Sequence, residues 1–323
     1  MNLKPFIQIE YKNANDGLHQ DVWSLATFDE NKIITGSCNG TICVYSVDLT
    51  QKTYNLLHLK EKAHNYAAIN YILVCEDNLI VSCADDGSIK MWKFESNKNL
   101  KEQSSIIKHH TQNVKKVIAL KDHDKFVSCS FDRTIKIWEK KSPHSLIYSF
   151  KECNRIHSMI ELKKYKQKDT EDILIESWGN NPGYITVWDL SIFKRKGNFQ
   201  NVYTCCPNGL VELKNGRVAV SRYEPLSIII IDPYTFEIVK TISNSNNFDC
   251  IKGQSSLVVT NNGLLIYIWE GYYIKIKDED DYNVVSFGFK DINCLGWAGL
   301  VFLNKETYIV TNNKSNGIGI FTY

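Results

Sequence analysis

The sequence lacks what would carry a chain across a membrane or hold it together covalently. Apolar runs stay short: Ile228 to Ile231 is strand-sized, and no run approaches the ~18 residues of a bilayer span. Six prolines and no low-complexity tract argue against a long disordered tail. A net charge of +2, from 38 basic against 36 acidic side chains, provides no whole-molecule field to favour nucleic acid or membrane. Without a signal-peptide pattern at the start, the ten cysteines read as reduced thiols in a cytoplasmic protein rather than a disulfide framework. No Cys-x-x-Cys pair marks zinc, and neither metal nor cofactor is expected. A Gly-x-Ser-x-Gly elbow, a His-Glu-x-x-His helix, a phosphate loop and a dinucleotide fingerprint are all missing, so no enzyme is expected.

What the sequence does have is a repeated sentence. Phe126 to Trp138, FVSCSFDRTIKIW, reads as two short alternating strands around a tight polar turn. Leu79 to Trp92, LIVSCADDGSIKMW, places serine, aspartate and tryptophan at the same offsets. Taking the strand-ending residue as anchor gives Tyr45, Trp92, Trp138, Trp188, Ile230, Trp269 and Phe321. These are seven units whose spacing lies near the ~40–45 residues of a propeller repeat. The last unit leaves room for three strands, and Pro5 to Tyr11, PFIQIEY, alternates like a fourth. In unit six the outer strand is either Tyr272 to Lys277 or Asn283 to Phe289.

The two clean units resemble WD40 repeats. Each adds a histidine at a fixed distance: His64 stands 22 residues before Asp86, and His110 stands 22 before Asp132. The resemblance implies an all-β, single seven-bladed propeller over residues 1–323, closed by the N-terminal strand. Approximate blades are 12–60, 61–107, 108–151, 152–200, 201–242, 243–290 and 291–323 with strand 5–11. It also implies two buried networks, His64, Ser82, Asp86, Trp92 and His110, Ser128, Asp132, Trp138, in which the carboxylate holds the imidazole and indole supplies a donor. His19, Thr35, Asn39 and Tyr45 form a degraded counterpart. A Ser-His-Asp set also invites a catalytic triad, but it occurs twice at equal offsets with a tryptophan that no triad requires. Internal cement is the better reading.

The implied function is a non-enzymatic scaffold or complex subunit that binds proteins through loops and rim. In the family, the residue before the turn aspartate often meets partners; here it is Asp85 or Phe131. Phe131 is read either as an exposed interface anchor or as a ring folded over a neighbouring loop. Arg133 adds a charge beside it, and Trp23, at the start of an inner strand, either looks into the same face or packs inside. From Lys108 to Lys168, fifteen basic residues face six acidic ones, a basic side extended by Lys194, Arg195 and Lys196. That side suits an acidic protein surface, a phosphoinositide or RNA, or is simply solvated. The paired-arginine motif of phosphoinositide-binding propellers is missing. A ubiquitin-ligase adaptor is a further alternative, weakened because Trp188-Asp189-Leu190-Ser191 lacks the arginine of the W-D-x-R motif. The insertion Lys163 to Asp172 in unit four should project from the face opposite Phe131.

Overall fold

The computed structural model describes residues 7–10, 22–75, 78–95, 99–106, 109–120, 124–141, 144–152, 154–163, 173–178, 184–200, 202, 209–222, 227–243, 256–260, 263–269, 272–277, 282, 284–289, 300–304, 307–312 and 317–322. Among these there is no α-helix, and the strands form seven antiparallel four-stranded sheets. β1 is Ile7–Glu10. The first sheet is β2 (Val22–Asp29), β3 (Lys32–Ser37), β4 (Ile42–Asp48) and β5 (Thr53–Lys60). The second is β6 (Ile69–Val74), β7 (Leu79–Ala84), β8 (Ile89–Phe94) and β9 (Leu100–Ile106). The third is β10 (Val114–Leu120), β11 (Lys125–Ser130), β12 (Thr134–Glu139) and β13 (Leu146–Lys151). The fourth is β14 (Ile156–Leu162), β15 (Ile173–Trp178), β16 (Tyr184–Asp189) and β17 (Lys194–Gln200). The fifth is β18 (Leu210–Glu212), β19 (Val218–Arg222), β20 (Ser227–Asp232) and β21 (Glu237–Ser243). The sixth is β22 (Ser256–Val259), β23 (Leu264–Trp269), β24 (Tyr272–Lys277) and β25 (Val284–Phe289). In the last sheet β26 (Leu300–Asn304), β27 (Thr307–Asn312) and β28 (Gly317–Thr322) are joined by β1, which pairs with β28 from Ile7 opposite Ile320 to Glu10 opposite Gly317.

Sheet six corrects the sequence reading. Trp269 ends the second strand, opposite Tyr272, so Tyr272–Lys277 is the third strand and Val284–Phe289 the outer one. A tryptophan at the end of an apolar strand does not say which strand it ends. Backbone register does: in sheets one to four a bulge between the third and fourth strands falls at Tyr45, Trp92, Trp138 and Trp188. In sheets five and six the same bulge falls at Ile231 and Ile276. Moving the anchors from Ile230 and Trp269 to these positions evens the spacing after Trp188 to 43, 45 and 45 residues.

The apolar core lies between neighbouring sheets. Trp92 and Phe94 pack with Ile34, Ile42 and Val44 of the first sheet, and Trp138 and Phe126 with Val81 and Met91 of the second. Ile7, Ile9, Ile318 and Ile320 of the last sheet share a cluster with Val22, Ile33 and Tyr45 of the first. A single sheet exposes both faces and buries them only by stacking. Each fully buried large side chain then contributes on the order of 1.5–3 kcal/mol relative to exposure. First strands of successive sheets touch one another, from β2 against β6 through β22 against β26, and β26 also touches β2.

Candidate functional site

The turn between second and third strands is built alike in the first three sheets: Cys38-Asn39-Gly40, Asp85-Asp86-Gly87 and Phe131-Asp132-Arg133. The third residue has positive φ each time, 77°, 79° and 70°. Glycine takes that conformation at little cost, and a side chain rarely does. At Gly87 any Cβ would lie 2.6 Å from the His110 carbonyl oxygen of the next sheet. Arg133 holds the same conformation without being glycine.

The middle turn residue belongs to the internal network. In sheet three, Trp138 Nε1 donates to Ser128 Oγ at 2.8 Å, which lies 2.8 Å from His110 Nε2. His110 Nδ1 lies 2.8 Å from Asp132 Oδ2. Ionised carboxylate only accepts, so Nδ1 carries the proton, Nε2 accepts the serine O–H, and serine accepts the indole N–H. In sheet two the equivalent bonds are 2.8 Å from Trp92 to Ser82 and 2.7 Å between Ser82 and His64 Nε2. There the aspartate is one step removed: His64 Nδ1 meets Ser88 Oγ at 2.9 Å, and Ser88 donates to Asp86 at 2.6 Å. Thr134 occupies the matching place in sheet three, 2.6 Å from Asp132 and 3.1 Å from His110. Ser88 and Thr134 were missed in the sequence, although both follow the aspartate by two residues. In sheet one, Ser37 bonds to Asn39 at 2.5 Å and to Thr41; His19 lies outside the described residues, as do residues 164–172 of the insertion.

The first turn residue meets a row of side chains produced by a second set of bulges. The first strands shift register between Val22 and Ser24, Ile69 and Tyr71, Val114 and Lys116, and Ile156 and Ser158. The skipped residues are Trp23, Asn70, Lys115 and His157. A bulge re-aims its extra side chain out of the ladder. Lys115, whose side chain is 2% exposed, reaches back to Asp85 at 3.1 Å and to Asn70 at 2.9 Å. Asn70 also donates to Asp85 at 2.7 Å. On the other side, the Lys115 ammonium lies 4.6 Å from the centre of the Phe131 ring, whose centroid is 4.6 Å from that of His157. Arg155, exposed, lies 5.3 Å over the same ring.

One open alternative closes here and one expectation changes. Phe131 is half-buried, folded onto the neighbouring strand, and not an exposed anchor. Asp85 points inward as the counter-ion of Lys115, because a buried ammonium requires one. Trp23 is half-buried at the equivalent bulge, and Arg133 is exposed. Lys194 and Arg195 are exposed on β17, away from this cluster, while Lys196 lies 3.4 Å from buried Asp189.

Titration behaviour follows from this burial. Burial lowers the pKa of His157 to about 4, and the cations of Lys115 and Arg155 push the same way. Burial also lowers His64 and His110, against the pull of their aspartates. Burial opposes ionisation of Asp86, yet the nearby His64 imidazole and the bonds from Ser88 hold its pKa at about 2; Asp132 is lowered likewise by His110 and Thr134. A histidine depressed below its ordinary 6.5 is neutral when folded and protonates on unfolding. Its stabilisation is complete above about pH 6.5 and drains away toward pH 4, where the aspartates begin to withdraw theirs. Thermal unfolding across a buffer series should show the midpoint falling from pH 7 to pH 4. His157→Phe should flatten that fall; an unchanged slope would contradict the assignment.

Three segments, residues 17–46, 58–93 and 101–139, match the WD domain, G-beta repeat (WD40) family. The chain carries WD40 repeats in these three segments. The crystal structure of the WD40 β-propeller domain of Doa1 superposes with a TM-score of 0.73 over 99% of this chain and 97% of that one. At 15% identity it establishes the fold alone, all-β and propeller-like. A probable cytosolic Fe-S cluster assembly factor of Schizosaccharomyces japonicus (strain yFS275 / FY16936) is 31% identical over 75 residues. That stretch is 23% of this chain and 12% of the relative, so the chain spans about an eighth of that protein's length. The matched segments contain every residue of both networks, together with Asp85, Lys115 and Phe131.

Proposed function

We propose that residues 1–323 form one closed, seven-bladed propeller that works as a non-enzymatic protein-interaction scaffold, and that its partner docks on the face bearing Phe131, Arg133 and Arg155. The observation that carries this reading is Arg133. It occupies a backbone conformation that its counterparts in sheets one and two fill with glycine, and a bulky residue held there costs of order 1 kcal/mol or more. The side chain compensates for that cost only by what it contacts. Beside it stands Arg155, poised over Phe131; neither arginine has a carboxylate partner among the described residues. Trp23 marks the same level of the first sheet. Two exposed guanidinium groups, one of them over an aromatic ring, suit an acidic, aromatic-tolerant protein surface. The similarity to a cytosolic assembly factor fits a cytoplasmic role as one component of a larger assembly.

Arg133→Gly separates folding from binding. Its unfolding free energy should stay within about 1 kcal/mol of the parent or rise. Affinity purification of the full chain at two salt concentrations, followed by mass spectrometry, should recover protein partners that the variant loses. Partners retained by Arg133→Gly and Arg155→Ala alike would place the interface elsewhere.

A further inference from the structure

We propose that β13 is a second docking edge, which takes up an extended acidic peptide of alternating apolar residues as a fifth strand of the third sheet. β13 is the outermost strand of its sheet, hydrogen-bonded on one side to β12. Charge on an outer strand discourages further pairing, and β9 reads LKEQSSI, β17 KRKGNFQ and β21 EIVKTIS, whereas β5 (TYNLLHLK) and β25 (VVSFGF) carry little or none. β13 reads LIYSFK, with its one charge at the end. Leu146, Ile147 and Tyr148 are 40%, 40% and 41% exposed.

The neighbouring sheet reaches this edge through Phe193. Asp189, fully buried, accepts the Ser191 N–H at 2.9 Å and its O–H at 2.6 Å, which fixes the β16–β17 turn. Phe193, with φ of 51°, lays its ring on Tyr148 at 4.4 Å and 17°, clamping the turn to β13. Ile192 is thereby held out as a rigid knob, 58% exposed. A pre-ordered edge and knob lose little freedom on binding.

Charge selects the occupant. Residues 146–151 and 192–196 contribute Lys151, Lys194, Arg195 and Lys196 and no acid. An acidic strand complements the exposed Lys151 and Lys194, while alternate apolar side chains meet Leu146, Tyr148 and Ile192 and the peptide backbone pairs the outer edge. A bilayer would leave the edge amides unpaired, and a second copy of β13 would bring like charges together.

The test pans a displayed library of random short peptides on the full chain, then measures recovered sequences by fluorescence anisotropy. Recovered peptides should alternate Asp or Glu with Val, Ile, Leu or aromatic residues. At saturation they should slow amide exchange within 146–151. The double variant Ile192→Asp, Lys194→Glu should weaken binding about tenfold or more with its unfolding midpoint kept, while Arg133→Gly leaves binding unchanged. The proposal is overturned if no such peptide is recovered, or if exchange slows elsewhere. It is overturned equally if the double variant instead abolishes self-association in ultracentrifugation, or sedimentation with phosphatidylserine vesicles that the peptides do not displace.

Discussion

Ser128→Ala is expected to unfold in urea with about 2–4 kcal/mol less stability than the parent. The hydroxyl accepts the Trp138 indole N–H and lies 2.8 Å from His110 Nε2. Ser128 and Trp138 are 0% exposed, and His110 is 3% exposed. Removing one oxygen therefore orphans a donor and an acceptor where water does not reach. The loss is of two buried bonds, each costing about 1–3 kcal/mol when one partner is left behind. Ser145→Ala is the control: its hydroxyl bonds Glu139 on the surface at 2.7 Å, and its removal should stay within about 0.5 kcal/mol. If Ser128→Ala were as mild as the control and abolished a hydrolytic activity, the serine, histidine and aspartate would be chemistry rather than cement.

One physical line separates the residues whose roles were legible in the sequence from those whose roles were not. Serine, histidine, aspartate and tryptophan were legible because each acts through its own hydrogen-bonding groups, and residue type states those directly. Pro5 to Tyr11 was legible as a strand because alternation is local. Bulges are different: they are events of register between two strands, and nothing in one strand's composition names them. Hence Ile231 and Ile276 were passed over for Ile230 and Trp269. The inner-strand bulges left one trace, a broken alternation at VWS, VKK and IHS, where a period-two strand should not place its side chains so, whereas INY alternates normally and hides its bulge. Read as bulges, those breaks would have pointed to Lys115 and His157 and turned Asp85 inward. The two readings of Phe131 stayed open for the same reason, since the turn offers no sign of the cation and imidazole that receive it. Arg133 was found by position, but its significance lies in a φ angle that sequence reveals only by comparison with Gly40 and Gly87.

The other large effect is expected at Asp85. Its carboxylate takes the Lys115 ammonium at 3.1 Å and the Asn70 amide at 2.7 Å, and the Lys115 side chain is 2% exposed. Asp85→Ala leaves that ammonium buried beside Asn70 and Phe131 without its counter-ion, which should cost about 3–5 kcal/mol. Lys115→Met removes the charge instead and keeps the aliphatic stem against Phe131. It leaves only a partly exposed carboxylate, which water can solvate, so it should cost far less. Combined with Asp85→Ala, it should recover most of the lost stability. Urea unfolding of the two single variants and the double closes the cycle. A double variant as unstable as Asp85→Ala alone would mean that the aspartate acts through the turn backbone or Asn70 rather than through the lysine. The asymmetry also bears on binding. Lys115, neutralised from one side by Asp85 and capped from the other by Phe131, is spent inside the structure. The positive charge that remains for a partner is carried by Arg133 and Arg155, so Lys115→Met should leave partner recovery intact while Arg133→Gly abolishes it.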